Sequence, residues 1–176
     1  MTNTKWALDT VHSSVDFSVR HMMIANVKGT FNSFNATIEA DPTDLTTANI
    51  DFTVETASVD TRNKDRDAHL VSGDFFDSEN HPNLTFKASK IEKTDDGEYN
   101  VTGDLTLRGI TKQENFAVTF EGQGKDPWGN EKVGFSAMGS INRSDYGLVW
   151  NAALETGGVL VGDKVKINLQ IQAAKA

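Results

Sequence analysis

The sequence predicts an all-β protein: an antiparallel barrel of about eight strands with one short helical lid segment. Apolar and polar residues alternate with period two along nearly the whole chain, as in strands with one buried face. The connections between these runs are short and turn-like, with no repeated strand–helix alternation. Only Thr61–Phe86, TRNKDRDAHLVSGDFFDSENHPNLTF, breaks the pattern. Its first half is charged, Leu70, Val71, Phe75 and Phe76 give it an apolar edge, and His81-Pro82-Asn83 stops any helix.

Trp6 and Leu8 open the alternation. Val15, Phe17, Val19 and His21 then share one face against Asp16, Ser18 and Arg20. A turn is expected at Ala25-Asn26, followed by Val27, Gly29 and Phe31. The phase slips by one at Asn32-Ser33, after which Phe34, Ala36, Ile38 and Ala40 carry the apolar face. Such a slip reads as a β-bulge, and bulges bend sheets into barrels. After the turn Asp41-Pro42-Thr43-Asp44 come Ile50, Phe52 and Val54. Beyond the lid segment come Leu84, Phe86 and Ala88. Asp95-Asp96-Gly97 is a hairpin signal leading to Tyr99, Val101, Gly103, Leu105 and Leu107. Gly109 turns the chain into Phe116, Val118 and Phe120, and Asp126–Asn130 turns it into Val133, Phe135, Ala137, Gly139 and Ile141. A less regular stretch from Arg143 to Val161 precedes Val165, Ile167, Leu169 and Ile171.

A sheet of this size with one apolar face closes on itself or packs on a second sheet. The barrel is the leading expectation and the sandwich its alternative. Small residues on the apolar faces, among them Gly29, Ala36, Gly103, Ala137 and Gly139, suggest a tapered apolar slot. They suit equally the simple accommodation of neighbouring Phe rings.

The 176 residues make one domain, residues 1–176, large enough for a substantial core. A net charge of −8 disfavours nucleic acid and anionic membrane surfaces as partners. The absence of cysteine removes disulfides, thiolate catalysis and zinc–thiolate sites. No span long enough to cross a bilayer occurs and no secretory leader is visible, so stable membrane insertion is not expected and a cytoplasmic location is.

No catalytic constellation emerges. His12, His21, His69 and His81 have no ligand spacing on one element, so no metal site is assigned. His12-Ser13-Ser14 lacks an elbow motif, and the carboxylate pairs at Asp65/Asp67, Asp74/Asp77 and Asp95/Asp96 sit in lid or turn segments. Gly157-Gly158 lacks the context of a phosphate-binding loop, and no cofactor is expected. Two features have a physical use. Met22 and Met23, in His21–Ala25, would form an adaptable lip if not packed beneath the lid. Arg66, Asp67 and His69, with Arg143, would meet a polar headgroup at a mouth, unless an Arg–Asp pair simply holds the lid down.

A resemblance adds to this reading. Trp6, Asp9, His12-Ser13, Phe17, His21, Gly29-Thr30-Phe31, Arg66–Phe76 (RDAHLVSGDFF), His81-Pro82 with Thr85-Phe86, Gly103–Lys112 (GDLTLRGITK), and Arg143 with Asp145-Tyr146-Gly147 occur in the order of YceI-like proteins. The chain resembles that family over nearly its whole length. The resemblance implies a lipocalin-like barrel with a helix near its opening and an apolar tunnel for polyisoprenoid chains, isoprenoid quinones or fatty amides. It implies homodimers as a common state, no established catalytic residues, and in many members a secretory leader, which is not seen here.

The combined expectation is a non-enzymatic carrier of a long-chain isoprenoid, a polyprenyl phosphate or an isoprenoid quinone, or of a similar lipid. Each buried CH₂ is worth about 0.8 kcal/mol, so a five-carbon unit contributes roughly 3–4 kcal/mol against association costs of about 4–15 kcal/mol. Phe17, Val19, Phe31, Phe34, Phe52, Phe86, Leu105, Phe116 and Phe135 are assigned to the tunnel wall. His21, Met22, Met23, Arg66, His69, Phe76 and Arg143 are assigned to its mouth. Phe at position 137 or 103 is expected to block the tail without disturbing the fold. The alternatives are a barrel-based enzyme on a small apolar substrate and a stress-related protein with a solid core.

Overall fold

The computed structural model describes residues 3–152, 154 and 160–176, so Gly157-Gly158 lies outside the described residues. Eleven strands follow in order: β1 Thr4–Leu8, β2 Ser14–His21, β3 Ala25–Phe31, β4 Phe34–Asp41, β5 Asp44–Glu55, β6 Val59–Asp60, β7 Asn83–Asp95, β8 Glu98–Leu107, β9 Ile110–Lys125, β10 Glu131–Asn142 and β11 Val161–Lys175. Among the described residues a single α-helix, α1, spans Lys64–Val71 between β6 and β7. All pairings are antiparallel, and β1, β4, β5, β7, β8, β9, β10 and β11 form a closed ring of eight. The barrel is closed, so the sandwich alternative falls.

The remaining strands stand above that ring. Long β11 pairs with β1 near its end, with Trp6 opposite Lys175, and with β2 higher up, with Phe17 opposite Ile167. Thus β1 and β2 are two tiers of one bent strand, and so are β3 and β4. The expected phase slip at Asn32-Ser33 is where β3 ends and β4 begins. In the upper tier β3 pairs with β2 along its length, but on its other side, among the described residues, only Thr30 and Phe31 find partners, Asp60 and Val59 of β6. The ring is therefore complete at the base and slit along one side above it.

Both ends follow from local chemistry. The base carries the hairpins at Asp41–Asp44, Asp95–Glu98 and Lys125–Glu131, as their turn residues predict. It is plugged by Trp6, Ile38, Ala40, Leu45, Tyr99, Val133, Ile171 and Ala173, with Trp6 Nε1 donating to the Ala40 carbonyl at 3.1 Å. The upper end carries the β2–β3 and β8–β9 hairpins, α1, and a 3₁₀ turn at Arg143–Tyr146. In the β8–β9 turn Arg108 and Gly109 both have positive φ, the geometry of a two-residue hairpin turn. The β2–β3 turn lies at Met22–Ile24, not at Ala25-Asn26, which already belong to β3. Polarity alone misplaced it: the apolar residues sit on the turn, and Asn26 faces Arg20 in the ladder.

Three glycines show where the small residues spend their space. A Cβ on Gly29 would overlap the Phe17 ring, one on Gly103 would strike the Phe86 ring and the Lys87 carbonyl, and one on Gly139 would strike the Phe116 ring. Each glycine is a slot for an aromatic ring from the neighbouring strand. Gly103→Phe is therefore corrected from a tunnel block to a fold-breaking change.

Candidate functional site

Between the basal plug and the upper end lies an apolar cavity of about 570 Å³. Its wall includes Phe17, Val19, Phe31, Phe52, Phe86, Leu105, Phe116 and Phe135, all inward-facing strand residues. Phe17 lies 5.4 Å from Phe31, Phe86 lies 5.1 Å from Phe116, and Phe135 lies 5.4 Å from Phe120, ring centroid to centroid. These tilted and edge-on contacts brace the rings, so the wall is firm rather than collapsed. Phe34 is the exception. It faces inward at the bend but packs against the Val15, Phe31, Val54 and Val59 cluster, outside the cavity wall.

The mouth is framed by the β2–β3 hairpin, α1 and the chain after the 3₁₀ turn. His21, Arg66, His69, Phe76 and Arg143 all line the cavity there. Met22 and Met23 do not; both lie on the turn and are about half exposed. They follow a strand whose inward face ends at His21, and the reversal carries them past the rim.

The helix starts where the sequence caps it: Asn63 accepts from the Arg66 amide at 3.0 Å, and Asp65 and Asp67 fill the first turn. Arg66 and Asp67 do not pair with each other. Both grip buried Thr61: Arg66 Nε donates to its hydroxyl at 2.8 Å and Nη2 to its carbonyl at 2.8 Å, while Asp67 accepts from its amide at 2.8 Å and its hydroxyl at 2.6 Å. The lid is thus tied to the end of β6 through one threonine, and the expected Arg–Asp pair is replaced by a shared partner. His69 places Nε2 2.9 Å from an Asp74 carboxylate oxygen and sets its ring edge-on to Phe75 and Trp150, at 5.0 and 4.6 Å.

Arg143 is buried, and its guanidinium serves the backbone. Nε donates to the Gly162 carbonyl at 2.8 Å, Nη1 to Leu148 at 2.5 Å and Nη2 to Val161 at 3.2 Å. Burial lowers its pKa, and nearby Asp163 opposes that shift. Arg143 therefore joins the 3₁₀ turn to the start of β11. The same turn holds Tyr146, fully buried, whose hydroxyl donates to Glu114 at 2.5 Å. Burial first, and then this carboxylate, push the phenol well above its usual range.

Alternation could not supply every lining residue. Leu148 and Trp150 line the cavity from the irregular stretch, where no period exists to read. Phase along β10 and β11 does place Ile141, Val165 and Leu169 on the wall. Among the described residues no group of His, Asp or Glu is placed to hold a metal ion, and no helix is long and apolar enough to cross a membrane. Every buried side-chain polar atom described has a hydrogen-bond partner.

A UPF0312 protein of Staphylococcus epidermidis is 44% identical over 164 residues, 93% of each chain. The crystal structure of a Campylobacter jejuni YceI protein superposes with a TM-score of 0.77 at 34% identity, covering 89% of this chain and 90% of that one. A polyisoprenoid binding domain from Saccharophagus degradans, implicated in plant cell wall breakdown, shares the fold with a TM-score of 0.75 at 12% identity, covering 98% of this chain and 99% of that one. The model of the YceI-like domain matches residues 6–173, and the chain belongs to that family.

Proposed function

We propose that this protein is a non-catalytic carrier that takes the apolar tail of a long isoprenoid lipid, a polyprenyl phosphate or an isoprenoid quinone, into its barrel. The observation that carries the reading is the cavity of about 570 Å³ walled by braced Phe, Leu, Ile and Val side chains. Its volume falls within the range of small-molecule sites, roughly 300–1,000 Å³. A space this apolar favours a chain that brings no polar atom needing a partner. The polyisoprenoid binding domain from Saccharophagus degradans offers the same architecture for comparison.

The mouth residues fit a supporting part. Arg66 is committed to Thr61, and Arg143 spends three of its donors on backbone carbonyls. Affinity in this reading comes from the tail. The rim orients the headgroup, with His21, His69 and the remaining Arg143 donors nearest to it. A reaction centre would need a nucleophile or a free acid–base pair aimed at the bound chain. Of the polar side chains at the mouth, Arg66, His69 and Arg143 are engaged by Thr61, Asp74 and backbone carbonyls, and the Phe, Leu, Ile and Val wall supplies none.

The test is denaturing extraction of protein purified from its native host, followed by mass spectrometry of the extract. One isoprenoid per one or two chains is the expected result. Polar metabolites at stoichiometric level, or a delipidated protein that takes up no isoprenoid on titration, would overturn the proposal.

A further inference from the structure

The exposed large apolar residues are unevenly placed. Met22, Met23, Ile24, Ile110 and Val149 stand at the upper end, around the mouth, whereas Val11 on the β1–β2 connection, Met138 on β10 and Trp128 at the base turns are scattered singly. Ile24 is 77% exposed and Val149 67%. The hairpin tip is joined to the chain leading into β11, its paired neighbour, since the Met22 amide donates to the Leu160 carbonyl at 2.7 Å. Leu160, Leu148 and Trp150 line the cavity, so the exposed residues beside them continue its apolar surface outward.

The turn itself sharpens the point. Met22 has φ of 52° and Met23 of 60°, the left-handed region that hairpin turns fill with Asn-Gly. Methionine there is strained, and neither side chain reaches the cavity or the core. The interior of the fold gains nothing from them. A partner that receives apolar side chains outside the barrel would.

Local charge runs against the whole. The chain carries a net −8, yet the hairpin bears exposed Arg20 and Lys28 beside His21, and among the described residues neither Arg20 nor Lys28 forms an ion pair. Arg20 Nη2 donates to the Met23 carbonyl at 2.8 Å and so lies against the turn, at the edge of the cavity lining. Asp163, on the neighbouring strand, accepts from the Ser144 amide at 3.0 Å. Cationic side chains flanking an exposed apolar tip suit an anionic lipid surface. Asp65 and Asp74 lie across the mouth on the lid side, and at physiological salt screening over about 8 Å weakens the effect of charges farther than that from the tip.

We infer that the Met22–Ile24 hairpin tip, with Val149 beside it, docks the mouth of the barrel on a bilayer surface carrying anionic lipid. The inference rests on the carrier reading for its purpose: a long apolar tail would then pass between bilayer and cavity without crossing water. Docking of this kind is reversible, because a few side chains enter the headgroup region and no segment spans it.

The experiment is flotation of the protein with phosphatidylcholine vesicles prepared with and without phosphatidylglycerol. Comparison is with M22N/M23G, which gives the turn its preferred residues and so keeps the hairpin. Isoprenoid binding in detergent solution is measured on the same samples. The wild type is expected to float with the phosphatidylglycerol vesicles, and the double variant to lose about tenfold to a hundredfold in partition. R20Q and K28Q are each expected to lose about fivefold, and the wild type to weaken as salt rises. Detergent-phase isoprenoid affinity should stay level in M22N/M23G, while transfer from vesicles slows. Failure of the wild type to float, or equal flotation of the double variant, would overturn the inference. So would a dimer in solution that M22N/M23G dissociates, because the tip would then belong to a second copy. Flotation without isoprenoid uptake in detergent would instead overturn the carrier reading and leave the docking surface standing.

Discussion

Ala137→Phe separates a real cavity from a solid core by the sign of its effect. Ala137 is buried on β10, faces Leu169 of β11 and Val118 of β9 in register, and lines the cavity. If the space is there, a phenyl ring enters it and takes apolar surface out of water. Burying such a side chain is worth about 1.5–3 kcal/mol, less the strain of fitting it, so the delipidated protein should gain roughly 1–2 kcal/mol. For a chain of this length that is a rise of about 2–8 °C in Tm. The same ring removes the ligand's room. Wild type should gain about 2.7 kcal/mol from isoprenoid at a hundred times its Kd, and the variant almost none. Calorimetric melting of both proteins, with and without a prenyl probe, reads all four states. A delipidated Ala137→Phe protein that melts lower than wild type would refute the reasoning, since overpacking a filled core costs about 1–3 kcal/mol.

The other predictions are structural. Gly103→Phe should lose the fold, because its Cβ alone meets the Lys87 carbonyl and the Phe86 ring; soluble expression with native circular dichroism would count against the ring-slot account. Arg143→Met removes three hydrogen bonds to carbonyls and should cost about 3–5 kcal/mol in urea unfolding, with Arg143→Lys restoring only part. Tyr146 gives a pH signature. Its folded pKa lies above the unfolded value of about 10, so the folded state keeps a proton that the unfolded state releases. Stability should be full below about pH 10 and fall above it by about 1.4 kcal/mol per pH unit from this group. Tyr146→Phe should remove that component of the slope, and an unchanged slope would contradict it.

Period-two alternation made most of the barrel legible, because strands with one buried face must repeat that pattern. It even marked Asn32-Ser33, where β3 gives way to β4. The Met22-Met23 turn was misread because turn position was inferred from polarity, while the backbone reverses at two residues chosen for another reason. Leu148 and Trp150 were out of reach, since irregular backbone carries no period, and Leu148 is held by an Arg143 that also binds the Gly162 carbonyl 19 residues away. The paired Gly and Phe residues were visible as types. Which ring fills which gap is a matter of register, and register appears only in the folded sheet.

The two-tier closure has a consequence for motion. A hoop in which every strand has two neighbours cannot widen without breaking ladder bonds, so the base is the slow-exchanging part of the molecule. Above it, β3 from Ala25 to Gly29 has a strand on one side only, and moving that flank outward breaks no ladder on the other. The protein is therefore a cup with a rigid foot and a hinged rim. Its rim can open to admit a chain while the foot stays shut, and amide exchange along β3 against that along β8 would measure the difference in opening free energy.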